Sequence, residues 1–136
     1  MLGSAAPVAF VTTTDPERAR AFYSDVLGLR FVTAEEFALV FDLQGTALRI
    51  PWVDELAPQP FTVLGWRVGD VAGVVRELTL RGVRFARYPD LEQDALGIWS
   101  APSGARVAWF PDPDGNLLSV SEYAGEGRRG PATDAG

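Results

Sequence analysis

Apolar residues along the chain switch twice between the two-residue rhythm of a strand and the longer rhythm of a helix. Val8-Ala9-Phe10-Val11-Thr12 is apolar and β-branched and reads as a strand. Thr14 or Asp15 can cap a helix that opens with Pro16 and Glu17. Ala19, Phe22, Tyr23, Val26 and Leu27 then mark one continuous helical face, and Gly28 is a natural stop. Residues 29–33, 37–43 and 46–50 follow as strands, the last two joined by a turn at Gln44-Gly45. After 53–60, with two prolines and the acidic pair Asp54-Glu55, the order starts again. A strand over 61–68 leads to a helix capped by Asp70, with Val71, Val74, Val75 and Leu78 on one face and Gly82 at its end. Strands are expected at 83–87, 98–100, 106–110 and 117–122, with a turn at Asp112-Pro113-Asp114-Gly115 before the last.

The recurrence is also literal. Asp15 is followed after a helix by Gly28-Leu29-Arg30-Phe31-Val32, and Asp70 after a helix by Gly82-Val83-Arg84-Phe85-Ala86. Two copies are too few for a solenoid, so they are expected to be two modules sharing one core. The fold class is α+β: two βαβββ modules forming curved mixed sheets around a shared cleft, with helices on the outer faces. Module one spans 7–52, the linker 53–60 and module two 61–123, all in a single domain; 124–136, without periodicity, is expected to be disordered.

Composition narrows the chemistry. The 136 residues hold no cysteine and no histidine, and their twelve basic residues are all arginine. Thiolate and imidazole chemistry, and metal sites built from either, are therefore excluded. The net charge of −6 argues against nucleic acid, which needs a basic face. No apolar run approaches the roughly 20 residues of a membrane span. A secretory signal pattern is missing from the N-terminus, so cytoplasmic residence is expected.

The paired βαβββ order, the segment Asp15-Pro16-Glu17-Arg18-Ala19-Arg20-Ala21-Phe22-Tyr23-Ser24-Asp25-Val26-Leu27-Gly28-Leu29 and the segment Phe110-Pro111-Asp112-Pro113-Asp114-Gly115-Asn116 resemble the vicinal oxygen chelate superfamily. That group includes glyoxalase I, extradiol dioxygenases, fosfomycin-resistance enzymes and bleomycin-resistance proteins. The resemblance covers about residues 7–123. It implies the fold, while the same fold hosts enzymes and plain binders. Metal-dependent members hold a divalent ion with His, Gln or Glu from the first and last strands of each module. Matching their motif to this chain gives Val8, Arg49, Val63 and Ser119. Valine has no donor atom, arginine carries a positive charge and a serine hydroxyl alone is a poor ligand. The expectation is no metal and no cofactor.

The face carrying those positions should instead form an apolar ligand site with a few polar groups, the usual make-up of a small-molecule pocket. Its expected ligand-binding residues are Phe10, Thr12, Arg49, Trp52, Arg67, Trp99, Trp109 and Ser119. Phe37, Phe41 and Tyr88 are further candidates for its rim or floor. Arg49 has two readings: an internal pair with Asp42, Glu35 or Glu122, or a guanidinium fork for a ligand oxygen. Glu35-Glu36 and Asp54-Glu55 read as solvated loop charges, and Asp112 and Asp114 as turn residues with no catalytic role. No catalytic residue is assigned. The expected activity, implied by the bleomycin-resistance branch, is metal-independent binding of an antibiotic or metabolite by a homodimer. A metal-independent lyase, isomerase or hydrolase is the alternative, and a sensor or interaction module without a small ligand is a third. The acidic balance suits a cationic ligand, whereas Arg49 and Arg67 suit an anionic one.

Overall fold

Asp15 and Asp70 begin the two helices, each accepting a hydrogen bond 3.1 Å from a backbone N–H of its first turn, Arg18 and Gly73 respectively. The computed structural model describes residues 1–125; the remaining tail expected to be disordered, with Arg128-Arg129, lies outside the described residues. Two units are distinguished, one comprising Met1–Leu64 with Asp112–Leu117, the other Gly65–Pro111 and the chain from Leu118 on. The loop 112–117 thus belongs to the first unit, a division that a cut at the linker does not express.

In the first unit, β1 (Val8–Phe10), β2 (Arg30–Ala34), β3 (Ala38–Leu43) and β4 (Thr46–Pro51) form a mixed sheet in the order β1-β4-β3-β2. β1 runs parallel to β4, and the other pairs are antiparallel. Gln44 and Gly45 turn the β3–β4 hairpin with φ of 52° and 98°, the two positive values that a type I′ turn requires. Asp42 stabilises it by accepting the Gly45 N–H at 3.0 Å. Leu39, Phe41, Leu48 and Ile50 are buried on the face covered by α1 (Pro16–Ala21). Phe41, expected as a candidate for the ligand face, lies here against Tyr23 and Phe31. Its register partner is Leu48, which fixes it on the helix side of the sheet.

The helical face predicted through Leu27 is present, but not as one α-helix. After Ala21 the chain widens into a π-helical turn, Phe22–Val26, closed by Leu27 N–H to Phe22 O at 3.0 Å. Periodicity does not register the change, because Ala19 and Tyr23 are buried on the same side with or without it.

The second sheet repeats the order as β5-β8-β7-β6, with β5 Thr62–Arg67, β6 Trp99–Ser100, β7 Arg106–Pro111 and β8 Leu117–Glu122. α2 (Val71–Leu80) buries Val71, Val75 and Leu78. Its first N–H, on Val71, donates to Glu122 Oε1 at 2.9 Å. Sheet residues Ala108, Phe110, Leu118 and Val120 are buried as well.

The strand expected at 83–87 does not form. Ala86 makes one ladder-like bond, its N–H donating to Trp109 O at 2.7 Å. Neighbouring backbone groups are met by a side chain instead: Gln93 Nε2 donates to Ala86 O and Gly97 O at 2.9 Å, and Gln93 Oε1 accepts the Tyr88 N–H at 2.7 Å. One amide thus replaces a strand edge, and each module keeps four strands. Gln93→Ala strands three backbone groups and is expected to cost about 1–3 kcal/mol, read as a lower urea midpoint. Glu92→Ala, at an exposed neighbour, should stay within about 0.5 kcal/mol of wild type.

Candidate functional site

Each sheet has a face turned away from its helix, and side-chain alternation decides what stands there. On the first sheet, Phe10 pairs with Arg49 and Arg49 with Val40, so these three share that face. Val8 lies two residues before Phe10 on the same side. Phe10 is 57% exposed and Val8 47%. The Arg49 guanidinium is engaged: Nη2 lies 2.7 Å from Glu35 Oε1. Of the three acids open to it, Asp42 accepts from Gly45 and Glu122 from Val71, while Glu35 holds the arginine. Glu35 is therefore half of an ion pair and not simply a solvated loop charge.

On the second sheet the corresponding positions are smaller. Gly65 lies so close to Ser119 that a Cβ there would sit 2.5 Å from Ser119 Oγ. Further across the sheet stand Trp109 on β7 and Trp99 on β6, ring centroids 6.1 Å apart and tilted by 33°. Tyr88 meets Trp109 edge-on at 5.5 Å. All three aromatic residues are half-buried. Arg67, two residues beyond Gly65, places its guanidinium 4.4 Å from the centre of the Tyr123 ring.

The structure therefore brings Phe10 to Arg49, and Trp99 to Trp109. Thr12 lies past the end of β1, and Trp52 past the end of β4. The Thr12 carbonyl accepts from Asn116 Nδ2 at 2.8 Å, and Trp52 forms a bridge with Thr13 just past β4. Phe37, 67% exposed, lies in the turn before β3, outside the strand expected to contain it.

A divalent ion of the kind bound by chelating relatives does not fit the four matched positions. Val8 and Val63 offer no donor, Arg49 is a cation already paired with Glu35, and Ser119 offers one hydroxyl. Among the described residues no three acidic side chains converge on a common point.

The acidic residues that do cluster are committed to structure. Buried Asp112 uses Oδ1 to accept the N–H groups of Asp114 and Asn116, both at 2.9 Å. Its Oδ2 accepts Tyr23 Oη–H at 2.7 Å and Asn116 Nδ2 at 2.9 Å. Burial, and then the adjacent Asp112 carboxylate, push the Tyr23 phenol far up, so it remains a donor. Asp114 accepts from the Thr13 hydroxyl, from Thr14 N–H at 2.9 Å, from Thr14 Oγ1 at 2.8 Å and from Arg18 Nη2 at 2.8 Å. The turn reading of this segment holds. Its role as a clamp on the start of α1 rests on contacts about a hundred residues apart, which no local pattern reports.

A helix-backed sheet, repeated in the order first-fourth-third-second, defines a paired βαβββ protein. Residues 5–120 match the Glyoxalase/Bleomycin resistance protein/Dioxygenase superfamily, and the chain belongs to that family. No curated protein matches the sequence. Among solved structures, a superfamily member from Sphaerobacter thermophilus is 27% identical with a TM-score of 0.65, over 86% of this chain and 97% of that one. Lactoylglutathione lyase from Agrobacterium tumefaciens is 20% identical with a TM-score of 0.67, over 88% and 93%. TioX from Micromonospora sp. ML1 is 19% identical with a TM-score of 0.66, over 88% and 99%. The last two likenesses carry the fold alone.

Proposed function

We propose that this protein binds a small molecule, an antibiotic or a metabolite, without using a metal ion and without transforming it. The observation that carries the reading is that Val8, Arg49, Val63 and Ser119, at the four matched positions, make no chelating set, while the second unit groups the aromatic rings of Tyr88, Trp109 and Trp99. Half-buried aromatic rings with a few polar groups offer a flat, desolvated surface to a ligand. In this reading the protein acts in the cytoplasm as a homodimer, with no nucleic-acid or membrane partner.

A thermal-shift panel of antibiotics and metabolites, followed by tryptophan fluorescence titration of each hit, tests it. At least one compound is expected to raise the unfolding temperature and to quench fluorescence, with affinity falling about tenfold or more in Trp109→Ala. A panel without a single response would contradict the reading. Turnover of a hit would replace it with the metal-independent lyase, isomerase or hydrolase alternative.

A further inference from the structure

The first sheet places a fixed cation at a position matched to a chelating side chain of metal-dependent relatives, and the chain already supplies that cation with a carboxylate. Glu35 comes from the turn after β2, where its N–H donates to Ala38 O at 2.8 Å. Its side chain reaches across the open face to Arg49, 2.7 Å between Oε1 and Nη2. The two side chains remain 49% and 35% accessible. Pairs this exposed hold weakly, so solvent or another carboxylate can take the place of Glu35. A guanidinium presents five N–H donors in a planar fork, the shape that suits a two-oxygen anion. Phe10, the register partner of Arg49 on β1, stands beside it with more than half its surface open, and Val40 flanks it on β3. The other acid on this face, Asp42, is balanced by Arg30 at 3.7 Å.

We infer that Arg49 anchors the carboxylate of a ligand whose flat apolar body lies against Phe10, and that Glu35 occupies the guanidinium until this ligand displaces it. The inference rests on the small-molecule reading and specifies its ligand class. Glu35 acts as an internal competitor: it keeps Arg49 paired in the free protein and sets the affinity for acidic ligands. The same contact shows that the fork accepts a carboxylate in this setting.

Two probes of matched shape separate charge from bulk, 2-naphthoate and the neutral 2-naphthamide, each titrated into the protein and followed by backbone amide shifts. Wild type is expected to bind the acid about fivefold or more tightly than the amide, the discrimination a charge-assisted bond supplies. Glu35→Gln should strengthen naphthoate binding about two- to fivefold, which is what an exposed pair can withhold, and leave naphthamide unchanged. Arg49→Gln should erase the preference between the probes. Arg76→Gln, on the exposed side of α2, should keep it. Equal affinity of wild type for both probes, no gain in Glu35→Gln, or no binding of naphthoate at concentrations of about 5 mM would overturn the inference. Those results leave the small-molecule reading standing if the compound panel gives a hit, and an empty panel removes that reading by itself.

Discussion

Asp112→Ala is expected to lower the unfolding temperature by roughly 10–20 °C, the largest effect of any single polar substitution in this chain. The carboxylate is buried and accepts four hydrogen bonds, from Tyr23, Asp114 and twice from Asn116. Truncation removes all four and leaves their donors in a site with little water. Each stranded donor costs about 1–3 kcal/mol, and partial relaxation brings the sum to about 3–5 kcal/mol. For a domain of this size that converts at about 3–4 °C per kcal/mol. Tyr23→Phe deletes one donor and keeps the ring packing, so about 1–2 kcal/mol is expected. The two sites should couple: the double variant loses less than the sum of the singles, because Tyr23→Phe removes a donor that Asp112→Ala would otherwise strand. Calorimetry of the four proteins reads this. An Asp112→Ala protein melting within about 3 °C of wild type would show that the clamp contributes little.

The second large effect is on acid stability. Burial raises the Asp114 carboxyl, but bonds from Thr13, from Thr14 N–H and Oγ1 and the charge of Arg18 outweigh it, and the group ends below its ordinary value. Its side chain is only 3% accessible. Above the unfolded value, near pH 3.9, the charged form is held better by the folded protein than by the unfolded chain. That contribution is complete well above pH 4 and is lost as pH falls through the lower folded value, because the unfolded state binds the proton first. Asp114→Asn should cost about 2–3 kcal/mol at pH 7, where three hydroxyl or amide donors and an arginine lose a charged acceptor. It should also flatten the fall in urea midpoint as pH drops below about 4, since the titrating group is gone. Arg18 is 45% accessible, so Arg18→Gln should account for a small part of the loss. Parallel pH curves for wild type and Asp114→Asn would contradict this account.

The architecture was legible because its signals are local and repeated. Asp15 and Asp70 cap helices as their chemistry predicts, and the Gln44-Gly45 turn has the two positive φ values its hairpin needs. Both sheets follow from strands of the expected order. The strand missing at 83–87 shows where local reading fails: Val83, Phe85 and their neighbours have strand composition, but Gln93 meets the backbone groups that would otherwise need a partner strand. Phe37 and Phe41 differ for a related reason. They share parity, yet Phe37 precedes β3 while Phe41 sits opposite Leu48, so one is exposed and the other buried. The sequence named Glu35 among three acids for Arg49, and only the sheet geometry separates them. The Asp112–Asp114 clamp was legible as a turn and not as a clamp, because its donors come from the opposite end of the chain.

For the candidate site, the informative residues were those whose side chains differ from the His, Gln or Glu of chelating relatives. The motif of the resembling family, counted from the helix caps and turn glycines, points to Val8, Arg49, Val63 and Ser119, and the structure sets Val8 and Arg49 on the face of the first sheet turned away from its helix and Ser119 beside Gly65. Which side chains pair on those faces depends on contacts between strands, as Arg49 with Glu35 shows, and single-chain periodicity does not encode it.

The central claim is that binding needs no metal ion. It is tested most directly by titrating the strongest ligand of the panel into protein dialysed against a chelator, then repeating the titration after adding Zn²⁺, Ni²⁺, Mn²⁺ or Mg²⁺. The account predicts the same dissociation constant in every case, within about twofold. Binding lost on chelation and restored by one of these ions would contradict it.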